Sequence, residues 1–315
     1  MSDDLEATAG VARPTTSLAS LEPRWVWAGG ETLVRVLLFL AAGFAVFVTL
    51  AIVLSLVFDT AIFFGRVSPY EFYTGTVWDP DIEGLFGVLP LVLGTFVIAG
   101  GAAAIGLPLG LASAIYLREY APPRVRETIK PGLEILAGVP TIVFAFFAIF
   151  TISPILRSLF GAEFLNGANA IVVIGILIIP LVSSLSEDAL TAVPLELRDG
   201  ALALGATRHE AVSRVTVPSA LSGIAASFLL AFSRAVGETM VVLLVAGQTT
   251  VIQLDIFRQM NTMAGFIAQS ATGDLAPESL SYQSLFAVGF TLFLFTLLLN
   301  VVSGHLRARF REAYA

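Results

Sequence analysis

The sequence predicts an all-α protein that crosses a membrane several times. Three observations support this class: 57% of the 315 residues are hydrophobic, only 13% are charged, and the mean hydropathy is +0.88. Soluble domains carry about 25% charged residues, so the chain is too apolar to be one. Its apolar stretches lack the alternation of polar and apolar positions that membrane strands require, so helices are the predicted spanning elements.

The long apolar stretches give the number of spans. A helix needs about 20 mainly apolar residues to cross the roughly 30 Å hydrocarbon core of a bilayer. Windows that meet this requirement cover residues 33–58, 85–117, 131–152, 168–190, 217–247 and 284–304. We therefore predict a polar cytoplasmic tail at residues 1–30, followed by a domain of six transmembrane helices at residues 31–315.

The basic residues predict which way the chain is inserted, because Lys and Arg are retained on the cytoplasmic side. With the N-terminus inside, 13 of the 17 basic residues fall in cytoplasmic segments, three in external loops, and one, Arg234, within a span. Both chain ends are therefore predicted to be cytoplasmic. We attribute the basic clusters to this topology and not to the binding of particular lipids.

The composition also excludes several classes of function. The net charge is -7, and the sequence has no run of basic residues that could bind along a phosphate backbone, so nucleic acid is not a predicted partner. Without cysteine the chain has no disulfide, thiolate metal site or cysteine nucleophile. His209 and His305 lack the spacing of metal ligands, so no metal site is predicted.

Glycine and proline modify two of the predicted spans. Residues 92–116 contain five glycines and Pro108, and small residues of this kind let helices approach closely. We interpret them as a packing face of the dimerisation type. Pro140 lies inside the third predicted span, where its missing N–H and its ring are expected to kink the helix.

A polar segment, residues 191–216, separates the fourth and fifth predicted spans. Pro194, followed by acidic residues, is typical of a helix start, and Gly205 interrupts the helical pattern after about two turns. We predict a short helix, a turn, and a second helix from about Thr207 that enters the membrane near Pro218. Such a segment presents side chains to a partner in the cytosol.

The spacing in this segment resembles the cytoplasmic loop of permease subunits of ATP-binding-cassette (ABC) importers. That loop has the pattern E-A-A, three residues, G, nine residues, I, one residue, L-P. The matching positions here are Asp199, Gly200, Ala201, Gly205, Val215, Val217 and Pro218. In that family the loop forms a coupling helix that docks in a groove of the ATPase subunit. The resemblance implies the same role for residues 199–210, including Arg208.

Three longer stretches narrow the resemblance. They read "LAGVPTIVFAF", "LRDGALALGATRHEAV" and "SRAVGETMVVLLVAG", and together they resemble the permeases of phosphate-specific importers. "GETM" followed by two valines resembles the PstC-type subunit more than its PstA-type partner. The resemblance implies a type I (MetI-like) importer permease, without catalytic residues, in the cytoplasmic membrane of a prokaryote.

The same resemblance implies a set of protein partners in addition to the lipid bilayer. They are a pair of ATPase subunits, a second permease of the PstA type, and an extracytoplasmic protein that delivers phosphate. ATP and Mg²⁺ are expected on the ATPase subunits, since no G-x-x-x-x-G-K-[ST] phosphate loop occurs in this chain. The permease itself is expected to hold no cofactor.

Two charged residues, Arg234 and Glu238, lie inside the fifth predicted span. A charge at the centre of a membrane helix costs roughly 2.5–3.5 kcal/mol, so such residues normally face a bundle interior or a watery path. At about 1.5 Å per residue, a helix over 217–247 is about 45 Å long, with Arg234 near its middle. A spacing of four places both side chains on one face, where they can form an ion pair.

We predict that Arg234 and Glu238 lie on the substrate path. A guanidinium is a planar fork of donors that suits a phosphate oxyanion and stays charged at any working pH. Glu238 either holds Arg234 when substrate is absent or accepts a hydrogen bond from a protonated phosphate oxygen. Phosphate keeps at least one proton at neutral pH, and sulfate keeps none. The alternative is that the two charges only neutralise each other so that the helix can insert.

Other functions stay open at this point. The same importer machinery can carry sulfate, molybdate or phosphonate, and a proton-coupled secondary transporter can use the two charges as a relay. A membrane enzyme finds no support, because the spans contain neither H-E-x-x-H nor a His-Asp-Ser arrangement. We attribute Glu134, Glu187 and Asp188, near the cytoplasmic boundary, to solvation or interface contacts.

Overall fold

The computed structural model describes residues 28–80, 83–273, 276 and 279–311. The predicted tail at residues 1–30 therefore lies almost wholly outside the described residues. The chain divides into two compact units, residues 1–54 and 55–315. In the first unit the described residues form most of one apolar helix, α1 (Ala28–Phe64), which ends in the second unit. The second unit contains the other described elements.

Helices dominate the second unit. After α1 they are α2 (Pro69–Thr74), α3 (Leu89–Ile115), α4 (Pro123–Gly138), α5 (Thr141–Phe147), α6 (Ser153–Phe160), α7 (Gly167–Thr191), α8 (Leu195–Ala203), α9 (Arg208–Ala211), α10 (Val217–Ser219), α11 (Leu221–Val236), α12 (Met263–Ala271) and α13 (Leu280–Arg311). Turns of π-helix in the described chain cover Tyr116–Tyr120, Ala148–Ile152, Val212–Thr216 and Val242–Ala246. The strands β1 (Trp78–Asp79) and β2 (Leu85–Phe86) pair antiparallel.

The spanning helices agree with the predicted class. Within the described residues, five helical stretches are long and apolar enough to cross a membrane: Thr32–Phe64, Leu89–Tyr120, Thr141–Phe160, Gly167–Thr191 and Leu280–His305. A sixth crossing results if Arg208–Ser219 and Leu221–Val236, which are bent by 68°, count as one broken span. The all-α, multi-pass architecture predicted from the sequence is therefore confirmed.

The third span differs from its predicted bounds, 131–152. Pro140 does not kink a helix; it separates two, because α4 ends at Gly138 and α5 begins at Thr141. The residue before a proline is pushed out of the α region, and Val139 is extended, with φ -69° and ψ 131°. The crossing is therefore Thr141–Phe160, and α4 is a separate helix whose residues are all at least partly exposed.

The fifth span is also not the single helix predicted over 217–247. The chain bends near Ala220, and α11 ends at Val236. Gly237 caps that end, and a helical segment resumes at Met240 and ends before Gly247. Glycine costs about 1 kcal/mol relative to alanine in a helix, so Gly237 is a favourable place for the break. The break lies between the two charged residues predicted to pair.

α3 and α7 form the centre of the core. A Cβ atom on Gly106 would lie 2.3 Å from the Ile178 side chain and 2.6 Å from the carbonyl oxygen of Gly175. One on Gly110 would lie 2.6 Å from Cβ of Val182. The glycine-rich face that we interpreted as a dimerisation face therefore packs on α7 of the same chain, because only glycine leaves room for so close an approach.

Two connecting regions, residues 59–80 and 248–273, pack on each other. Phe63, Phe72, Trp78 and Phe266 are buried in one aromatic cluster beside the hairpin. The rings of Trp78 and Phe266 meet edge to face at 4.9 Å, which is favourable geometry for aromatic pairs. This cluster is separate from the core around α3 and α7.

Candidate functional site

Arg234 lies in the last turn of α11 and faces a cavity of about 270 Å³. Residues of α4 and α7 form most of the lining, and its polar members besides Arg234 are Lys130, Glu134, Ser183, Ser184 and Glu187. Arg234 is exposed in the isolated chain and forms no ion pair with any side chain in the described ranges. Its guanidinium is therefore available to a ligand.

Glu238 does not form the predicted ion pair with Arg234. The spacing rule requires a continuous helix, and α11 ends at Val236, between the two residues. Instead, Oε1 of Glu238 accepts a hydrogen bond from the backbone N–H of Val241 at 3.3 Å. Glu238 thus caps the next helical segment, where a carboxylate is favourable near the positive end of the helix. Its place on the substrate path stays a prediction.

Glu187 is a buried carboxylate beside the cavity, with its side chain 2% exposed. Arg126 donates from Nη2 to Oε1, and Lys130 lies with Nζ 3.1 Å from Oε2. Both cations come from α4, so the two ion pairs join α4 to α7. Pairing offsets the high cost of burying a charge. Of the two explanations offered from the sequence, solvation and interface contacts, burial excludes solvation of Glu187.

A second cavity, of about 560 Å³, lies next to the first. The two cavities share three lining residues, Leu117, Lys130 and Glu134. The larger one is also lined by Arg118 and Arg126. Lys130 and Glu134 therefore lie where the cavities adjoin. No sequence pattern grouped Lys130 with Arg234.

The predicted coupling segment has the helix–turn–helix form expected. α8 begins after Pro194, and the turn contains Gly205, whose φ of +90° favours glycine. Thr207 begins α9 with a capping box: its hydroxyl accepts from the N–H of Glu210, whose carboxylate accepts from the N–H of Thr207. The predicted coupling residues are exposed or half-buried, namely Asp199, Gly200, Ala201, Gly205 and Arg208.

Two arginines of this segment bind the turn that follows α3. Arg198 donates from Nη1 to Oε2 of Glu119 at 3.1 Å, and Glu119 is only 3% exposed. Arg208 donates to the backbone carbonyl of Glu119, and its guanidinium carbon lies 5.1 Å from the centre of the Tyr120 ring, within cation–π range. Glu119 was not predicted from the sequence; an acid two residues after the predicted span 85–117 was the available signal.

Two features are those of a transmembrane permease. Apolar spanning helices surround a cavity that reaches an intramembrane arginine, and a polar helix–turn–helix is bound to one span. The chain belongs to the family of binding-protein-dependent transport system inner membrane components, whose family model matches residues 106–312. It is thus a multi-pass inner-membrane component of an ABC transporter.

Individual relatives support the same assignment. The chain is 33% identical over 246 residues to the probable ABC transporter permease protein YqgH of Bacillus subtilis, covering 75% of this chain and 78% of that protein. It is 32% identical over 263 residues to the phosphate transport system permease protein PstC of Mesorhizobium japonicum, covering 76% and 79%. The resemblance to PstC-type permeases is confirmed.

The fold has a counterpart among solved structures. A chain of a bacterial alginate ABC transporter, solved in complex with an alginate pentasaccharide-bound periplasmic protein, matches with a TM-score of 0.63 and 14% identity. The match covers 91% of this chain and 98% of that chain. The importer-permease fold predicted from the sequence is confirmed.

Proposed function

We propose that this chain is the permease subunit of an ABC importer that moves inorganic phosphate into the cell. The family match supports the importer, and the similarity to PstC proteins supports the anion. The observation that carries the proposal is the guanidinium of Arg234, which faces a cavity and has no ion-pair partner among the described side chains.

Arg234 provides a transient contact for the anion. Its planar donors match two oxygens of a phosphate. The cavity of about 270 Å³ is far larger than the roughly 10–15 Å³ that one water molecule needs, so it has room for a hydrated anion. One such contact binds weakly, which suits a site that must release its cargo.

Glu238 supplies an acceptor for the proton that phosphate retains at neutral pH. The helix cap uses Oε1 of Glu238, which leaves Oε2 for a protonated phosphate oxygen. Sulfate has no proton to donate there, so the carboxylate repels it. This arrangement favours phosphate over sulfate, the main alternative among oxyanions.

Energy for transport comes from other subunits in this proposal. A pair of ATPase subunits binds ATP and Mg²⁺, and this chain has no catalytic residue of its own. α8, the turn after it and the start of α9 dock on one ATPase subunit through the predicted coupling residues, Asp199, Gly200, Ala201, Gly205 and Arg208. A PstA-type permease completes the path, and a phosphate-binding protein delivers the anion on the opposite side.

The contacts of Arg198 and Arg208 pass motion from the ATPase into the membrane. Both residues bind Glu119, which lies directly after α3, and α3 packs closely on α7. α7 in turn lines the cavity that Arg234 faces. In the proposed orientation the coupling segment and both chain ends are cytoplasmic, in agreement with the distribution of basic residues.

The decisive experiment measures uptake of labelled phosphate into liposomes that contain the complete complex and its binding protein. We expect uptake that requires ATP, is competed by unlabelled phosphate, and is not competed by sulfate, molybdate or phosphonate. Stronger competition by one of those anions than by unlabelled phosphate would assign the importer to that anion. Uptake that collapses with the proton gradient and continues without the ATPase would identify a secondary transporter and refute the proposal.

A further inference from the structure

We infer that Lys130 is a second anion contact on the path, which phosphate reaches after it leaves Arg234. The inference rests on the proposed import of phosphate and adds a residue to the same site. Lys130 lines both the cavity that Arg234 faces and the larger cavity next to it.

The larger cavity lies at the end of the molecule where the coupling segment binds. It is lined by Leu117 and Arg118, which directly precede Glu119, the residue that Arg198 and Arg208 contact. In the proposed orientation this end faces the cytosol. An anion that moves from Arg234 into the larger cavity must therefore pass the place where Lys130 lies.

The charges around Lys130 leave it free to change partner. Two cations, Arg126 and Lys130, share the one buried carboxylate of Glu187, each at its own oxygen. If Lys130 turns to an anion, Arg126 still neutralises Glu187. The ammonium of lysine is a point charge on a flexible stem with three donors, and the Lys130 side chain is 36% exposed.

Acidic groups limit how long an anion stays there. Glu134 lines both cavities, and Glu187 attracts Lys130 back to the ion pair at 3.1 Å. Like charges repel an oxyanion, so Glu134 shortens the time that an anion stays at Lys130. Lys130 therefore binds the anion only briefly, while Glu187 restores the resting ion pair afterwards.

Lys130 has a simpler possible role, which is to neutralise Glu187. Removing the charges of both Lys130 and Glu187 distinguishes this role from that of an anion contact. We expect Lys130→Gln to lower phosphate uptake by the complete complex about tenfold, the loss of one charge-assisted hydrogen bond. In the double variant Lys130→Gln/Glu187→Gln, no charge at position 187 needs neutralising, and we expect uptake to stay low compared with Glu187→Gln alone. Recovery to the level of Glu187→Gln would overturn the inference.

A chemical test keeps the inference falsifiable if glutamine at position 130 impairs assembly. The chain has no cysteine, so Lys130→Cys in the Glu187→Gln background gives this subunit a single thiol. A thiol reagent that adds an aminoethyl group restores a cation there, and one of similar size that adds a sulfonatoethyl group adds an anion. We expect the first to raise phosphate uptake and the second to lower it further. Equal effects of the two reagents would contradict the inference.

Two controls in the same preparations separate this inference from the proposed function. The Glu187→Gln complex without the cysteine is treated with both reagents, which corrects for thiols on other subunits. Uptake of phosphate by the unmodified wild-type complex is measured alongside. If the wild type takes up no phosphate, the proposed function fails; if it does, and the charge at position 130 has no effect, only the role of Lys130 fails.

Discussion

The carboxylate of Glu119 accepts a hydrogen bond from Arg198 at 3.1 Å, across 79 residues of sequence. Arg198 belongs to α8, whose residues are all at least partly exposed. Because α8 contributes no buried side chain to the described core, this ion pair is a principal contact between the predicted coupling helix and the spans. In the proposed mechanism Glu119 therefore transmits the motion of α8, although it is not one of the predicted docking residues.

Replacement of Glu119 by glutamine is expected to uncouple ATP hydrolysis from transport. Glutamine keeps the size of the side chain but weakens a contact between a buried carboxylate and an arginine that is 30% exposed. Loss of one partner of a fully buried pair costs about 3–5 kcal/mol, and partial exposure reduces this. We expect the assembled complex to hydrolyse ATP but to move about fivefold less phosphate per ATP.

The exposed pair Arg258–Asp255 provides the control for that prediction. Its atoms lie 3.2 Å apart, and both side chains are at least half exposed. Exposed pairs contribute about 0–1 kcal/mol, so Arg258→Gln should leave the ratio of phosphate to ATP unchanged. If Glu119→Gln also leaves this ratio unchanged, the proposed role of Glu119 is wrong.

Arg234→Ala is expected to abolish most phosphate uptake. Hydrogen bonds to charged groups are worth about 1.5–3 kcal/mol, which corresponds to a loss of about tenfold to a hundredfold. Arg234→Lys should retain part of the activity, because it keeps the charge and loses the planar fork. Initial rates in liposomes with equal amounts of complex test this, and an unchanged rate for Arg234→Ala would remove the residue from the path.

The turn after α8 should tolerate glycine and little else at position 205. A Cβ atom meets nothing within 4 Å at either Gly205 or Gly200, but only Gly205 has a positive φ, +90°. We expect Gly205→Ala to strain the turn by about 1–2 kcal/mol and weaken association with the ATPase. Gly200→Ala should instead favour α8 by about 1 kcal/mol. Binding of the ATPase to the solubilised permease distinguishes the two, and equal effects would exclude backbone strain as the cause.

Close packing of α3 on α7 gives a prediction for stability. A Cβ atom on Gly106 would lie 2.3 Å from Ile178, whereas one on Gly100 meets nothing within 4 Å. Overpacking costs about 1–3 kcal/mol, so Gly106→Ala should lower the unfolding midpoint in detergent. Gly100→Ala should not lower it, since alanine is a better helix former than glycine. The opposite order of midpoints would show that the two helices do not meet at Gly106.

Hydropathy predicted most accurately the bounds of helices that have no break inside the predicted window. Gly167–Thr191 agrees with the predicted window, 168–190, to within one residue at each end. Averages over about 20 residues cannot detect a break of two or three residues, so Pro140 and Gly237 were placed inside helices that they in fact separate. The residue-by-residue signals at these positions were present in the sequence, but the apolar windows outweighed them.

In the candidate site, contacts between neighbours in the chain could be predicted, and contacts between distant residues could not. The turn at Gly205 and the cap at Thr207 depend on neighbours in the chain, and both could be predicted. The contacts of Glu119 with Arg198 and of Lys130 with Glu187 join different helices, and only the packing of α4, α7 and α8 brings them together. The ion pair that the spacing of Arg234 and Glu238 allowed does not form, because the spacing rule requires a continuous helix and α11 ends at Val236.

The contact between Gly106 and Gly175 restricts how the molecule can change shape. With no side chain between the two backbones, α3 and α7 cannot slide without a clash, and packed cores switch between discrete arrangements instead of deforming smoothly. We infer that the pair rotates as one rigid body and that bending is confined to segments such as the break at Gly237. Spin labels on α3 and α7 should then keep a constant separation through the ATP cycle, while labels on either side of Gly237 change theirs.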